Sequence, residues 1–360
     1  MTMSRQAPPS RAGSSLPAAP TFPQTRYQGS KRKLCSWLWS CLETLEFETA
    51  LDAFGGTGSV SHLLKAAGKR VTYNDILRSN EQMAIALIEN DGTPLTEKTM
   101  RTLRQAEGRC SSPSFIADNF SGIYFTDEEN GWLDGMCRRI RNLPARHERA
   151  IAWYALFQAA LIKRPYNLFH RRNLYMRTAD VARSFGNKRT WDRPFAEHFS
   201  NFVREANKAL IDGRGSCVVL CGDAAEVPGV FDLVYVDPPY INGRGTGVDY
   251  AHFYHFLEGM LDYDRWGERI DRRSRHLRLH TAPSPWTKPG QIGSAFARLL
   301  ERFRDAVLVI SYRSDGIPSI TELVRLLRRH KRRVRVHERQ RYQYALSRNA
   351  RSHEVLIAGQ

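Results

Sequence analysis

Several common signatures are missing from this chain. Its six cysteines, Cys35, Cys41, Cys110, Cys137, Cys217 and Cys221, include no Cys-x-x-Cys pair. Neither a disulfide framework nor a structural zinc site is expected, and the thiols are read as reduced. No apolar run approaches the roughly 20 residues that cross a bilayer, and the first residues lack the apolar core of a secretory signal. A cytoplasmic chain without a membrane partner is expected. The Gly-Lys-Ser/Thr of a P-loop is absent, which argues against hydrolysis of nucleoside triphosphates. No internal repeat is visible. Acid is scarce: 37 Asp and Glu stand against 54 Lys and Arg, a formal charge of +17. That imbalance favours a polyanionic partner, nucleic acid before others.

What is present fits a folded α/β protein. Of 360 residues, 42% are hydrophobic and 25% charged, enough for one large domain with an insertion. Residues 1–25 carry prolines at 8, 9, 17, 20 and 23 among Ser and Ala and read as a disordered tail. From Thr49 the pattern changes to a short apolar run, a Gly-rich turn at Gly55-Gly-Thr-Gly58, a helix over Ser59 to Ala67 and a strand at Arg70 to Asp75. Strand, turn, helix and strand make a βαβ unit. Helical patterns such as Glu148 to Ile162 then dominate. Strand-like runs resume at Ser216 to Cys221, Phe231 to Asp237 and Ala306 to Tyr312. Tyr342 to Leu346 and His353 to Ala358 read as a late antiparallel pair. The expected fold is α/β: a doubly wound, Rossmann-like sheet from residues 26–91 and 201–360, closed by an antiparallel edge hairpin. A mostly helical insertion over 92–200 interrupts it.

Two motifs carry chemistry. In Leu51-Asp-Ala-Phe-Gly-Gly-Thr-Gly58 the glycines let the backbone approach a ligand closely, with spacing unlike the Gly-x-Gly-x-x-Gly of dinucleotide sites. Asp75 ends the next strand, where a carboxylate can accept both hydroxyls of a ribose or simply cap the following helix. Asp237-Pro-Pro-Tyr240 follows the apolar strand Leu233-Val-Tyr-Val236. Two prolines cannot continue a central strand, so they fix a rigid turn at its carboxyl end, where such sheets bind ligands. The Asp carboxylate and the proline carbonyls are acceptors suited to a substrate that presents an NH2 group, and Tyr240 adds a flat face on which a base can stack.

In that order the segments resemble the S-adenosylmethionine-dependent DNA adenine methyltransferases of the Dam type, over residues 26–360. The family has an N-terminal element similar to Arg26-Tyr-Gln-Gly-Ser-Lys-Arg-Lys33, whose Tyr27 and Lys31 occupy its cofactor-contacting positions. The resemblance assigns S-adenosylmethionine to Tyr27, Lys31, Phe54, Gly55, Gly58, Asp75, Asp223 and Asp237, with catalysis by Asp237, Pro238 and Tyr240. It departs at Ala224, where the family commonly has an apolar ring beside the acid at 223. Lys163 to Tyr175 and Ser311-Tyr-Arg-Ser-Asp-Gly316 also look like family segments. The resemblance implies double-stranded DNA as partner and a target base flipped from the helix. It is compatible with a cognate restriction endonuclease acting separately.

The implied chemistry is a displacement in which the exocyclic nitrogen of adenine attacks a sulfonium methyl. That nitrogen is a weak nucleophile, and acceptors such as Asp237 and the Pro238 carbonyl sharpen it. No metal is needed. His252-x-x-His255 and His276-x-x-x-His280 lack a third ligand and are read as surface or DNA-facing. Residues 241–360 hold 23 Lys and Arg against 12 Asp and Glu, densest at Arg269 to Arg278 and Arg328 to Arg333. Arg272, Arg273 and Arg275 are candidate phosphate contacts, as are Lys163, Arg164, Arg171 and Arg172 in the insertion. Phe169 and Tyr175 serve equally well as its core. Transfer to cytosine N4, an RNA base or a glutamine amide is the nearest alternative, although cytosine enzymes more often carry Ser, and glutamine enzymes Asn, where Asp237 stands. A catalytically silent DNA-binding module is the other.

Overall fold

The computed structural model describes residues 20–105, 114–179, 188–212, 217–339 and 352–360. Among these residues nine strands form two sheets: β1 (Thr49–Asp52), β2 (Arg70–Asp75), β3 (Val218–Cys221), β4 (Leu233–Val236), β5 (Ile241–Asn242), β6 (Val307–Arg313), β7 (Gly316–Ile317), β8 (Val334–Arg339) and β9 (Glu354–Gly359). The seven-stranded sheet runs β3-β2-β1-β4-β6-β9-β8, and β5 pairs with β7. The first five strands of that order are parallel; β9 lies antiparallel to both β6 and β8. The chain works outward from β1 to β3 and then returns to β4. The strand order therefore reverses between β1 and β4, and an open α/β sheet gapes at such a point.

A parallel sheet is covered on both faces, so its strands read as continuous apolar runs. β4 is the clearest case, since all four of its residues are buried. Leu233 and Tyr235 join the core on the side of the long helix Arg146–Ile162, while Val234 and Val236 join the core under the helix Pro289–Arg302. The residues between the π turn Ile85–Glu89 and β3 form helices only, among those described.

Two sequence expectations change at the ends. Of the tail expected over residues 1–25, residues 1–19 lie outside the described residues, while Phe22 is buried, its ring edge-on to His62 at 5.2 Å. Its carbonyl accepts from Arg32 Nε at 3.1 Å. The run Tyr342 to Leu346 lies outside the described residues, and the strand that pairs with β9 is Val334–Arg339.

Candidate active site

The carboxyl ends of β1, β2, β3 and β4 open onto one crevice of 1590 Å³, and the Gly-rich turn and the Asp237–Tyr240 turn both line it. Asn74 joins three of these ends: its buried amide donates to the carbonyls of Ala53 and Gly222, each at 3.1 Å. Gly55 is required by packing, since a Cβ there would lie 2.0 Å from the Tyr73 ring. Gly56 differs. It takes φ +53° with open space where a side chain would stand, so a ligand can approach its backbone. Asp75 holds this turn, Oδ2 accepting from Gly56 N at 2.9 Å and Oδ1 from Leu77 N at 2.8 Å. Burial raises its carboxyl above the usual range, and these backbone donors pull it back.

On one side the crevice has an aromatic wall. Tyr27 stacks on Tyr254 at 4.3 Å and on Tyr250 at 5.5 Å, and its hydroxyl accepts from Asn80 at 3.1 Å. On the other side Phe54 meets Trp286 edge to face at 4.8 Å. Trp286, Asp223 and Ala224 all line the crevice, so it has an aromatic ring besides Phe54 that comes from a segment without a motif. Asp223 caps Ala225 N at 2.9 Å and pairs with Arg298 at 2.7 Å. Open space at Gly56, a held carboxylate at the end of β2 and flat rings at the wall are the features a nucleoside-bearing sulfonium cofactor needs, and these residues fit one.

Asp237 sits where β4 ends. Its Oδ1 is 3.0 Å from Lys31 Nζ and accepts from the Tyr240 hydroxyl at 2.7 Å. Lys31 also donates to Tyr240 Oη and lies 3.0 Å from Glu354 Oε1. The ammonium that the resemblance assigns to the cofactor is thus committed to two carboxylates. Burial lowers its proton affinity, but Asp237 and Glu354 outweigh this and raise it above the usual lysine range. Burial also raises Asp237, Lys31 lowers it and Glu354 raises it again, leaving the carboxyl at about 6. The Tyr240 ring packs edge to face on Tyr312 at 5.1 Å.

Sequence reasoning misses Gly56, Trp286, Tyr250, Tyr254 and Glu354. Only Glu354 leaves a signal: a charged residue heading an apolar run that is buried on both faces must have a partner. Other assignments change. Lys163 is buried against Glu129 at 2.7 Å and donates to the Arg193 carbonyl. Arg164 is 1% exposed, donating to the carbonyls of Tyr124, Leu168 and Arg171 and to Asn173, with Tyr124's ring 4.4 Å from its guanidinium. Neither reaches a surface on which a phosphate could lie. Phe169 is a core residue, whereas Tyr175 is exposed. Arg171, Arg172, Arg272, Arg273 and Arg275 are exposed. His255, expected at the surface, is fully buried with Nε2 2.9 Å from the Tyr124 hydroxyl, and burial holds it at about 3, neutral.

Known proteins complete the picture. The chain is 28% identical over 327 residues to the type II methyltransferase M2.HphI of Haemophilus parahaemolyticus, covering 89% of this chain and 91% of that one. It is 25% identical over 328 residues to the type II methyltransferase M.FokI of Planomicrobium okeanokoites, covering 85% of this chain and 47% of that relative. Among solved structures, the rRNA methyltransferase aviRa from Streptomyces viridochromogenes aligns over 96% of this chain and 88% of its own at 12% identity, with a TM-score of 0.29 that is too low to bear on the fold. The model of one family matches residues 27–281, from the aromatic wall through the Gly-rich turn to the far side of the Asp237–Tyr240 turn, and the chain belongs to that family, the D12 class N6 adenine-specific DNA methyltransferases.

Proposed function

We propose that this protein uses S-adenosylmethionine to methylate the exocyclic N6 of adenine at a specific site in double-stranded DNA, with the target base turned out of the duplex. The observation that carries the reading is the shared crevice: the acceptor-rich Asp237–Tyr240 turn opens beside the Gly56 backbone and Asp75. When bound, S-adenosylmethionine would supply an activated methyl whose leaving group is a neutral thioether. Tyr27, Phe54, Gly56, Asp75, Trp286 and Asp223 are the residues assigned to hold it. Asp237 and the Pro238 carbonyl accept from the adenine NH2, drawing its lone pair out of the ring, and the Tyr240 ring offers the base a stacking face. Holding the amine in line supplies much of the rate. The proton leaves after charge develops on nitrogen, so Asp237 acts first as an acceptor and only then as a proton relay.

Unstacking the base costs a few kcal/mol, which contacts to the duplex offset. Exposed Arg171, Arg172, Arg272, Arg273 and Arg275 are the proposed phosphate contacts, and the insertion over 92–200 the proposed reader of the target. Both named relatives are type II methyltransferases, which makes a separately acting restriction endonuclease the companion to look for. We assign a cytoplasmic location; among the described residues no helix is long and apolar enough to cross a membrane.

Tritium transfer from labelled S-adenosylmethionine to duplex DNA, followed by nucleoside mass spectrometry, tests the reading. N6-methyladenine is the expected product. Label on cytosine, or on RNA alone, overturns the acceptor, and no incorporation by wild-type protein into any DNA overturns the activity. Asp237→Ala is expected to lower transfer at least about 10³-fold while cofactor affinity changes only a few-fold. Near-normal turnover in that variant refutes the role given to Asp237.

A further inference from the structure

Glu354 has no place yet in the chemistry. It is fully buried at the head of β9, in a strand that otherwise reads Val355-Leu-Ile-Ala358. An apolar residue would be easier to bury there, because an ionised carboxylate loses its hydration and must be repaid in contacts. β9 runs antiparallel to β6, so its first residue, not its last, comes to the edge where the parallel strands end. Glu354 Oε1 accepts from Ser311 Oγ at 2.5 Å and stands 3.0 Å from Lys31 Nζ and 3.2 Å from the Tyr240 hydroxyl. Both of those donors also contact Asp237 Oδ1. No described residue donates to Asp237 Oδ2, and that atom is not sealed in the interior; it borders the crevice.

We propose that Glu354 is a positioning residue for methyl transfer: by sharing Lys31 and Tyr240 with Asp237 it fixes Oδ1 and leaves Oδ2 as a strong acceptor for the target amine. A single ammonium paired with Asp237 alone would neutralise it and weaken its pull on an N–H. With Glu354 included, one cation faces two anions, and the cluster keeps a net charge of −1. The proposal rests on the methyl-transfer reading above. The groups that face Asp237 are Lys31 from the N-terminal segment, Tyr240 from its own turn and Glu354 from β9. Tyr235, Tyr250, Tyr312 and Asp52 lie within electrostatic reach.

The test is the pH dependence of single-turnover transfer to a methylatable duplex, with full-length protein. Lys31 lowers and Glu354 raises the proton affinity of Asp237. Glu354→Gln keeps shape and acceptor but removes the charge, so the acid limb of the rate should move down by about one pH unit. The maximal rate should fall about tenfold, with the KM for cofactor within about twofold. Lys31→Met should move the limb up instead. Loss of rate in Glu354→Gln with the limb unmoved, or an unchanged rate, overturns the proposal. If Glu354→Gln does not fold, as judged by thermal unfolding, Lys31→Met decides: a limb that stays put overturns the proposal. Wild-type protein in the same assay separates the two levels, because its failure to methylate at any pH refutes the underlying reading and not the role of Glu354.

Discussion

Residues 163–177 and residues 269–278 each hold five Lys or Arg side chains, yet they meet opposite surroundings. In the first stretch Lys163, Arg164 and Arg177 are buried, and Arg177 pairs with the same Glu129 as Lys163. In the second none is buried, and Arg272, Arg273 and Arg275 have no ion-pair partner among the described residues. The three buried cations donate to main-chain carbonyls of Tyr124, Leu168, Arg171, Trp191 and Arg193, which loops and a helix end leave in need of a donor. In the second, Arg269 and Arg278 pair with Asp262 and Asp271, which leaves Arg272, Arg273 and Arg275 to meet another molecule. Density of positive charge along a sequence does not separate the two uses, whereas the presence of orphan carbonyls does.

Substitutions sharpen the contrast. The largest effect is expected for Arg164→Ala, which leaves several buried acceptors without a donor and should cost about 3 kcal/mol in urea unfolding. Unchanged stability would place Arg164 on the other side of the comparison. Replacing Arg272, Arg273 and Arg275 together by Ala should leave the unfolding midpoint in place. It should weaken DNA binding and flatten the plot of log affinity against log salt by about one unit for each phosphate that is no longer neutralised. An unaltered slope removes this segment from the interface. Arg172 is the intermediate case, exposed but donating to the Gly122 carbonyl at 3.1 Å. Arg172→Ala should shift stability by less than about 0.5 kcal/mol, and a larger drop would move it to the buried class.

The parts legible from sequence are those whose cause is local. β2 falls at Arg70–Asp75 as the pattern predicts, and the tetrapeptide lies at the end of β4 because two prolines can do little else there. The roles of the cations are not legible, since burial is decided by packing partners far along the chain. Lys31 and Glu354 meet across 323 residues, and nothing in either neighbourhood announces the other. The resemblance brings Lys31 to the site with a cofactor-contacting role, and only the fold adds its pairing with Glu354. Trp286 escapes for the same reason: it approaches Phe54 from a segment with no motif of its own.

The turn after β4 also selects by refusal. Pro238 and Pro239 have no N–H, and the nearby donors Lys31 and Tyr240 are already engaged with Asp237 and Glu354. The proline carbonyls and the second carboxylate oxygen of Asp237 are then left as acceptors at the turn itself. Under the proposed reading, a base that offers a keto oxygen at the corresponding edge, as guanine and thymine do, meets repulsion from these acceptors. On that same reading, part of the discrimination between amino and keto bases comes from two prolines that cannot donate, before any contact with the neighbouring nucleotides is made.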